Sequence, residues 1–506
     1  MSGRRKKPNL LLVFADQMRY MDMGCAGNGQ IRTPGLDRMA SEGVFFTDAV
    51  SNCAVCGPHR AMMLTGLYPL SNTVFTNNIR LPDDIPAMGD MLKKEGYHTA
   101  YVGKWHLAGE PATEGYVPPG PMRHGFDYWA VHNCSHKYYN SVYYTDSPEP
   151  IVMEGWQPDE QTDLAIDYMK AHVKKTEEEK SPFALVMSWG PPHTPFIAPP
   201  EYTALYPPGK LILRPNVNKY EWLEVPDSAI PARFKEWWEQ NNKKHFGKYA
   251  PEPEAILREF TANYYGAITN LDYNMGRLIS ALAELGLEND TLVVFTSDHG
   301  EMLGSHGQLH KWQPWEESIR VPFIAKLPGI ISEGLETAIP FNTPDILPTL
   351  FSLMGLAVPA GIEGRDLSRF ILSPENPGEK EPSSAFISCI CAATTWGRQW
   401  GSRGRGVPDG FFRPYRGVRT RTHTYVRDKQ GPWFLYDNEK DPYQLHNLLE
   451  EKGKSAVPPE LEREIEYWLE YTGDFFGENE DYQRLADINT GIVTDRKSLR
   501  INGKRM

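Results

Sequence analysis

Cys56 begins the run Cys56-Gly57-Pro58-His59-Arg60. Pro58 suits the first turn of a helix, because its missing N–H would be unpaired there anyway. The spacing therefore predicts Cys56 at or just before a helix N-terminus, where free N–H groups and the dipole favour an anion. Arg60, about one turn later, can return to the same spot with a planar two-point grip on an oxyanion. The alternative use of such a thiol is as a small buried hydrophobe. Two further pairs, Asp16-Gln17 and Asp298-His299, offer carboxylate and imidazole donors for a divalent cation, oxygen-rich ligation favouring calcium or magnesium. Lys104 and His106 in Gly103-Lys-Trp-His, His193 in Pro192-His-Thr-Pro195, and Lys311 add cations for a tetrahedral oxyanion and groups that move protons.

For these residues to meet, strands must deliver them to one edge. Asn9 to Phe14 and Thr291 to Thr296 are continuous apolar runs, the signature of strands covered on both faces in a mostly parallel sheet. Asp16 and Asp298 lie just past them, at the carboxyl ends where open α/β sheets place their sites. Between them, helices expected over 85–95 and 162–175 alternate with strands over 99–102 and 183–188. A long amphipathic stretch covers 257–285, and 344–354 is a further helix closed by Gly355. This order implies an α/β fold, a large mostly parallel sheet sandwiched by helices, over 1–375. An irregular insertion rich in Pro, Lys and aromatics is expected over about 201–250. A Pro/Glu/Ser/Gly stretch over 371–384 marks a boundary, after which short strands over 385–391, 416–421, 424–427 and 433–436 and a helix over 461–471 form a smaller C-terminal α+β domain, 376–506.

The 506 residues carry 40% hydrophobic side chains, ample for a core, and a net charge of −12 that excludes nucleic-acid binding as the default. No apolar stretch approaches the roughly 20 residues of a membrane span, and the run after the basic Arg4 to Lys7 is too short for a signal-peptide core. The chain thus reads as cytoplasmic, with no nucleic-acid or membrane partner. Six cysteines do not make a disulfide framework at this length. Cys53-x-x-Cys56 has no second such pair, and Cys389-x-Cys391 has poor spacing for zinc.

Taken in order, the motifs resemble the type I sulfatases of the alkaline phosphatase superfamily. The resemblance covers nearly the whole chain: Pro8 to Gln17, Arg32 to Ala40, Cys56 through Pro69, Gly103 to Leu107, Pro192 to Pro195, Ser297 to Gly307 with Lys311, and Leu435 to Leu448. It implies an antiparallel sheet in the smaller domain, and a Cys56 oxidised after translation to formylglycine (3-oxoalanine), whose hydrate attacks sulfur. The partner in maturation would be a formylglycine-generating or an anaerobic sulfatase-maturing enzyme, which reads Cys56, Pro58 and Arg60. His59 replaces the small hydroxyl or methyl residue usual at its position. The resemblance further implies one divalent cation, Ca2+ or alternatively Mg2+ or Mn2+, held by Asp16, Gln17, Asp298, His299 and the modified residue 56. Arg60 and Lys104 would hold the diol, His193 with Lys311 would protonate the leaving alcohol, and His106 would take the proton that lets sulfate depart.

The expected activity is hydrolysis of a sulfate ester on a sulfated carbohydrate or small molecule. Two alternatives are a phosphonate monoester or phosphodiester hydrolase of the same superfamily, and an inactive sulfated-glycan binder. Arg398, Arg403, Arg405, Arg413, Arg416, Arg419, Arg421 and Arg427 either line a subsite for an anionic sugar or belong to structural strands. Trp129, Trp156 and Trp396 are candidate stacking surfaces for that sugar.

Overall fold

The computed structural model describes residues 6–77, 79–109, 115–175, 181–217, 253–390, 413–453 and 457–477, together with 481, 500–501 and 504–505. Eight strands form the main sheet: β1 (Asn9–Asp16), β2 (Val44–Phe46), β3 (His98–Lys104), β4 (Tyr128–His132), β5 (Phe183–Pro192), β6 (Thr291–Ser297), β7 (Phe323–Lys326) and β8 (Leu335–Thr337). Their order is β8-β2-β7-β6-β1-β5-β3-β4. β1 pairs in parallel with both β5 and β6, and β3 in parallel with β5 and β4. Only toward the other edge does the direction alternate, β7 running antiparallel to β6 and β2.

The apolar run of β1 is explained by burial on both sides. Leu10, Leu12 and Phe14 enter one core cluster and Leu11, Val13 and Ala15 the other, every one fully buried. The first cluster is closed by α2 (Cys56–Thr65) through Ala61, Met63 and Leu64, and by α5 (Ile346–Leu353) through Leu347 and Leu350. The second is closed by α1 (Pro34–Ser41), α3 (Gln157–Lys175) and α4 (Pro253–Glu284). At 32 residues α4 is about 48 Å long and packs along β5, α1 and α3.

A second sheet, antiparallel throughout, consists of β9 (Ala385–Cys389), β10 (Tyr415–Arg419), β11 (His423–Asp428) and β12 (Gly431–Asp437). Leu461, Ile465 and Trp468 of α6 (Pro459–Thr472) cover one face, while the other packs on Val50, Ala54 and Ile319 from the first part of the chain. Buried Arg419 joins the two parts, pairing with Asp48 at 2.7 Å and Glu316 at 3.1 Å.

The expected elements are present with shifted ends. The helix of 85–95 is Met88–Lys94, because Pro86 delays its start and Asp90 caps the Ala87 N–H at 3.1 Å. The helix of 162–175 begins earlier, at Gln157, with Pro158 in its first turn. The strand of 183–188 runs on to Pro192. The greater part of the expected insertion, from 218 onward, lies outside the described residues, as does Cys391. Among the described residues, no helix is long and apolar enough to cross a membrane.

Candidate active site

Because β1, β3, β5 and β6 run parallel, their carboxyl ends open on one edge, and the polar residues there converge. Asp16 ends β1, Lys104 ends β3, His193 follows β5, and Asp298-His299 follows β6. Two glycines permit the crowding. A Cβ on Gly300 would lie 1.9 Å from the Glu317 carbonyl oxygen, and one on Gly103 (φ 106°) 2.0 Å from that of Ser188.

Helix α2 brings Cys56 to this edge as its first residue, as the Pro58 spacing predicts. The adjacent Gly57 N–H donates to Asn77 Oδ1 at 2.8 Å. All ten α2 residues are buried, Met62, Met63 and Leu64 among them. Cys56 Sγ sits 3.2 Å from His299 Nε2 and 3.7 Å from Asp16 Oδ1. Arg60 reaches back under it: one Nη donates to Asp16 at 3.2 Å and Asp298 at 3.0 Å, the other to the Lys104 carbonyl at 2.8 Å and Ser188 Oγ at 2.7 Å. Lys104 Nζ donates to Asp16 at 2.6 Å. Lys311 Nζ bridges Gln17 Oε1 at 2.6 Å and His193 Nε2 at 2.8 Å.

Three buried cations (Arg60, Lys104, Lys311) thus face two buried carboxylates, a balance that favours an entering anion. Burial opposes ionisation of Asp16, yet Lys104, His193 and Arg60 together hold its carboxyl well below the usual range. Burial, with Lys311 adding to it, holds His193 well below its ordinary value, and burial with Lys104 and Arg60 does the same for His106. Burial pushes the Cys56 thiol up.

The donor set fits a divalent cation. Ligand atoms of Asp16, Cys56, Asp298 and His299 all lie within 4.8 Å of one another. His299 Nδ1 is 2.9 Å from the Gly300 carbonyl, which can only accept, so Nδ1 carries the proton and the Nε2 lone pair faces the cluster. Gln17 stands at the rim of this set. Its backbone N–H binds Asp298 Oδ1 at 3.1 Å, its Oε1 accepts from Lys311, and its Nε2 donates to Glu301.

His106 is also at this edge, its Nδ1 buried with no hydrogen-bond partner among the described residues and its backbone N–H donating to the Asn133 carbonyl at 2.6 Å. His59 is buried between the Ser51 and Thr343 hydroxyls, its Nδ1 at 2.9 and 3.2 Å, and thus does not face solvent. The stacking role expected of Trp129 and Trp156 is corrected. They are 3% and 4% exposed, Trp129 lying under Arg123 and Trp156 bonded to Asn270, so neither offers a ring face to a sugar. Arg413, Arg416, Arg419, Arg421 and Arg427 each pair with a carboxylate of the chain, which favours the structural reading for these five. Arg398, Arg403, Arg405 and Trp396 lie outside the described residues.

Sequence reasoning missed Ser188 and Glu301. Glu301 is fully buried; it accepts the Leu303 and His310 N–H groups at 2.9 and 2.6 Å and holds the Gln17 amide. Burial raises its carboxyl to about 7. Its place directly after Asp298-His299-Gly300 was a signal available in the sequence. Ser188, inside an apolar strand, carried none.

A mostly parallel sheet with this site at its carboxyl edge defines a hydrolase of the alkaline phosphatase superfamily. Residues 8–356 match the family model described as Sulfatase. The chain is 37% identical over 481 residues to an ulvan-active sulfatase of Formosa agariphila, spanning 94% of this chain and 84% of that protein. It is 28% identical to an endo-4-O-sulfatase of Bacteroides thetaiotaomicron, spanning 92% of each. The solved structure of yidJ from Bacteroides fragilis matches with a TM-score of 0.74 at 29% identity, covering 94% of this chain and 98% of that one. The chain belongs to the sulfatase family and is a sulfuric ester hydrolase.

Proposed function

We propose that the chain removes sulfate from a sulfated carbohydrate, with a formylglycine made from Cys56 and one divalent cation. The observation that carries this reading is the cluster of Asp16, Asp298 and His299 around Cys56 Sγ, with Arg60 and Lys104 braced against the same carboxylates. The relatives support the substrate class: the Formosa protein is named an ulvan-active sulfatase and the Bacteroides protein an endo-4-O-sulfatase.

Asp16, Asp298, His299 and residue 56 would hold the cation, with Gln17 at the rim through Oε1. Bound there, a calcium or magnesium ion would supply Lewis-acid polarisation of the nucleophile and the sulfate. The hydrated aldehyde of residue 56 would supply the oxygen nucleophile that a buried, neutral thiol does not. Arg60, fixed by four hydrogen bonds, orients residue 56 and spreads developing charge. Lys104, which shares Asp16 Oδ2 with Arg60, does the same. Lys311 meets the sulfate oxygens and holds, with His193 Nε2, the proton that the leaving oxygen needs. His193 Nδ1 lies 2.8 Å from the Thr194 carbonyl, so Nε2 is the nitrogen turned to the site. His106 accepts a proton from residue 56 when sulfate departs.

Paired assays of the matured protein on an aryl sulfate and an aryl phosphodiester test the reading. Faster turnover of the sulfate is expected; faster turnover of the phosphodiester refutes it in favour of the phosphodiesterase alternative. The mass of the Cys56 peptide separates an enzyme from a binder, since a protein from its native host carrying only the unmodified thiol would be the latter.

A further inference from the structure

We propose that His136 is a positioning residue for His193, acting through the face of its ring. The inference rests on the sulfatase reading, in which His193 with Lys311 protonates the leaving group. The two imidazoles stack with centroids 4.3 Å apart and planes 12° from parallel. His193 lies just past β5 in a segment without regular structure, so no helix or strand holds its ring. Its two nitrogens bond to the Thr194 carbonyl and to Lys311 Nζ, each at 2.8 Å. In-plane hydrogen bonds at two corners of a ring fix its position in the plane but leave a tilt about the line joining them. A flat ring packed on one face removes that tilt. His136 supplies it.

The segment that carries His136 grips the same residue a second time. Tyr138, fully buried, donates its hydroxyl to the His193 carbonyl at 2.9 Å, and its own carbonyl accepts the Gln157 N–H at 2.8 Å from the start of α3. His193 is thus held by its backbone through Tyr138 and by its ring through His136. His136 is itself exposed, so it is not a core residue whose removal collapses the fold.

The consequence concerns the leaving group. A nitrophenolate departs with little help from a proton, whereas a phenolate or sugar alkoxide needs one increasingly as its basicity rises. Loosening His193 therefore costs rate in proportion to leaving-group basicity. Matured wild type, His136→Ala, His136→Phe and His193→Ala would be assayed on substituted phenyl sulfates, from 4-nitrophenyl to 4-methoxyphenyl. For His136→Ala, kcat within about threefold of wild type is expected on 4-nitrophenyl sulfate. At the basic end it should be on the order of tenfold lower, with KM unchanged, a fraction of the roughly 10²-fold or greater loss expected for His193→Ala. His136→Phe keeps a flat ring and should recover to within about threefold along the whole series. A uniform loss across the series, a loss confined to KM, or a steeper series that Phe does not restore overturns the inference. A wild type carrying formylglycine at residue 56 but inactive on every member would instead overturn the sulfatase chemistry assigned to the site, and this inference with it.

Discussion

Arg60→Met tests the electrostatic frame of the site. The guanidinium is fully buried, lies over the Phe14 ring at 4.9 Å, and makes four hydrogen bonds. The two carboxylates it serves are not equally dependent on it. Asp16 keeps Lys104 at 2.6 Å, whereas among the described residues Arg60 is the one lysine or arginine in ion-pair contact with Asp298. Met fills the volume, so the penalty is electrostatic, an uncompensated buried carboxylate, about 3–5 kcal/mol. Over 506 residues the unfolding entropy is roughly 1 kcal/mol/K, so Tm should fall by about 3–5 °C. The scan is run on protein with unmodified Cys56, because Arg60 also belongs to the proposed maturation motif and loss of activity alone would be ambiguous. Adding a divalent cation should narrow the gap to wild type, since an ion among Asp16, Asp298 and His299 supplies the missing positive charge. Arg60→Lys should not recover the loss, because a point charge cannot reach four acceptors in a plane. An Arg60→Met protein that melts within 1 °C of wild type would refute the reasoning.

Cys56→Ala should abolish turnover while leaving Tm within about 2 °C, whereas Cys53→Ala, in its apolar nest with Val55 and Met62, should keep most activity; a Cys53→Ala protein that folds and carries formylglycine yet is inactive would overturn that division. Chelation by EDTA should stop turnover and lower Tm, with Ca2+ or Mg2+ restoring both; full activity after exhaustive chelation, checked by elemental analysis, would remove the metal from the scheme. Asp272 accepts the Gly35 and Leu36 N–H groups at 3.1 and 2.7 Å, yet burial raises its carboxyl from 3.8 to about 6. A carboxyl raised on folding stabilises fully below its unfolded value and loses that contribution as pH rises to its folded one. Stability relative to Asp272→Asn should therefore fall by about 2 kcal/mol between pH 4 and 6, and a flat difference in urea midpoints would contradict it.

The strand runs ending at Asp16 and Asp298 were legible because burial on both faces demands continuous apolar residues, and their polar stops marked the edge where the site lies. The helix that begins at Cys56 was legible from Pro58. Shorter elements were not. β2, β7 and β8 are three or four residues each, too brief for a periodic signal, and the hairpin of Tyr139–Tyr143 with Ile151–Trp156 is half-exposed and irregular. Trp129 and Trp156 misled for a related reason: an indole has the same composition whether it stacks on a ligand or fills a core.

By itself the sequence determined which residues could do the chemistry and that parallel strands would carry them to one edge, since residue type and local hydrophobic pattern are properties of the chain. Only the tertiary structure decided how those groups are shared out. Arg60 serves both carboxylates because β1 and β6 are neighbours; Lys311 pairs with His193 and Gln17 because a loop after β6 folds across β1 and β5. His136 lies over His193 although 57 residues separate them in the chain, and no local pattern records that approach. Hydrogen bonds and ring contacts between distant segments depend on strand order, and strand order is settled by packing of the whole core.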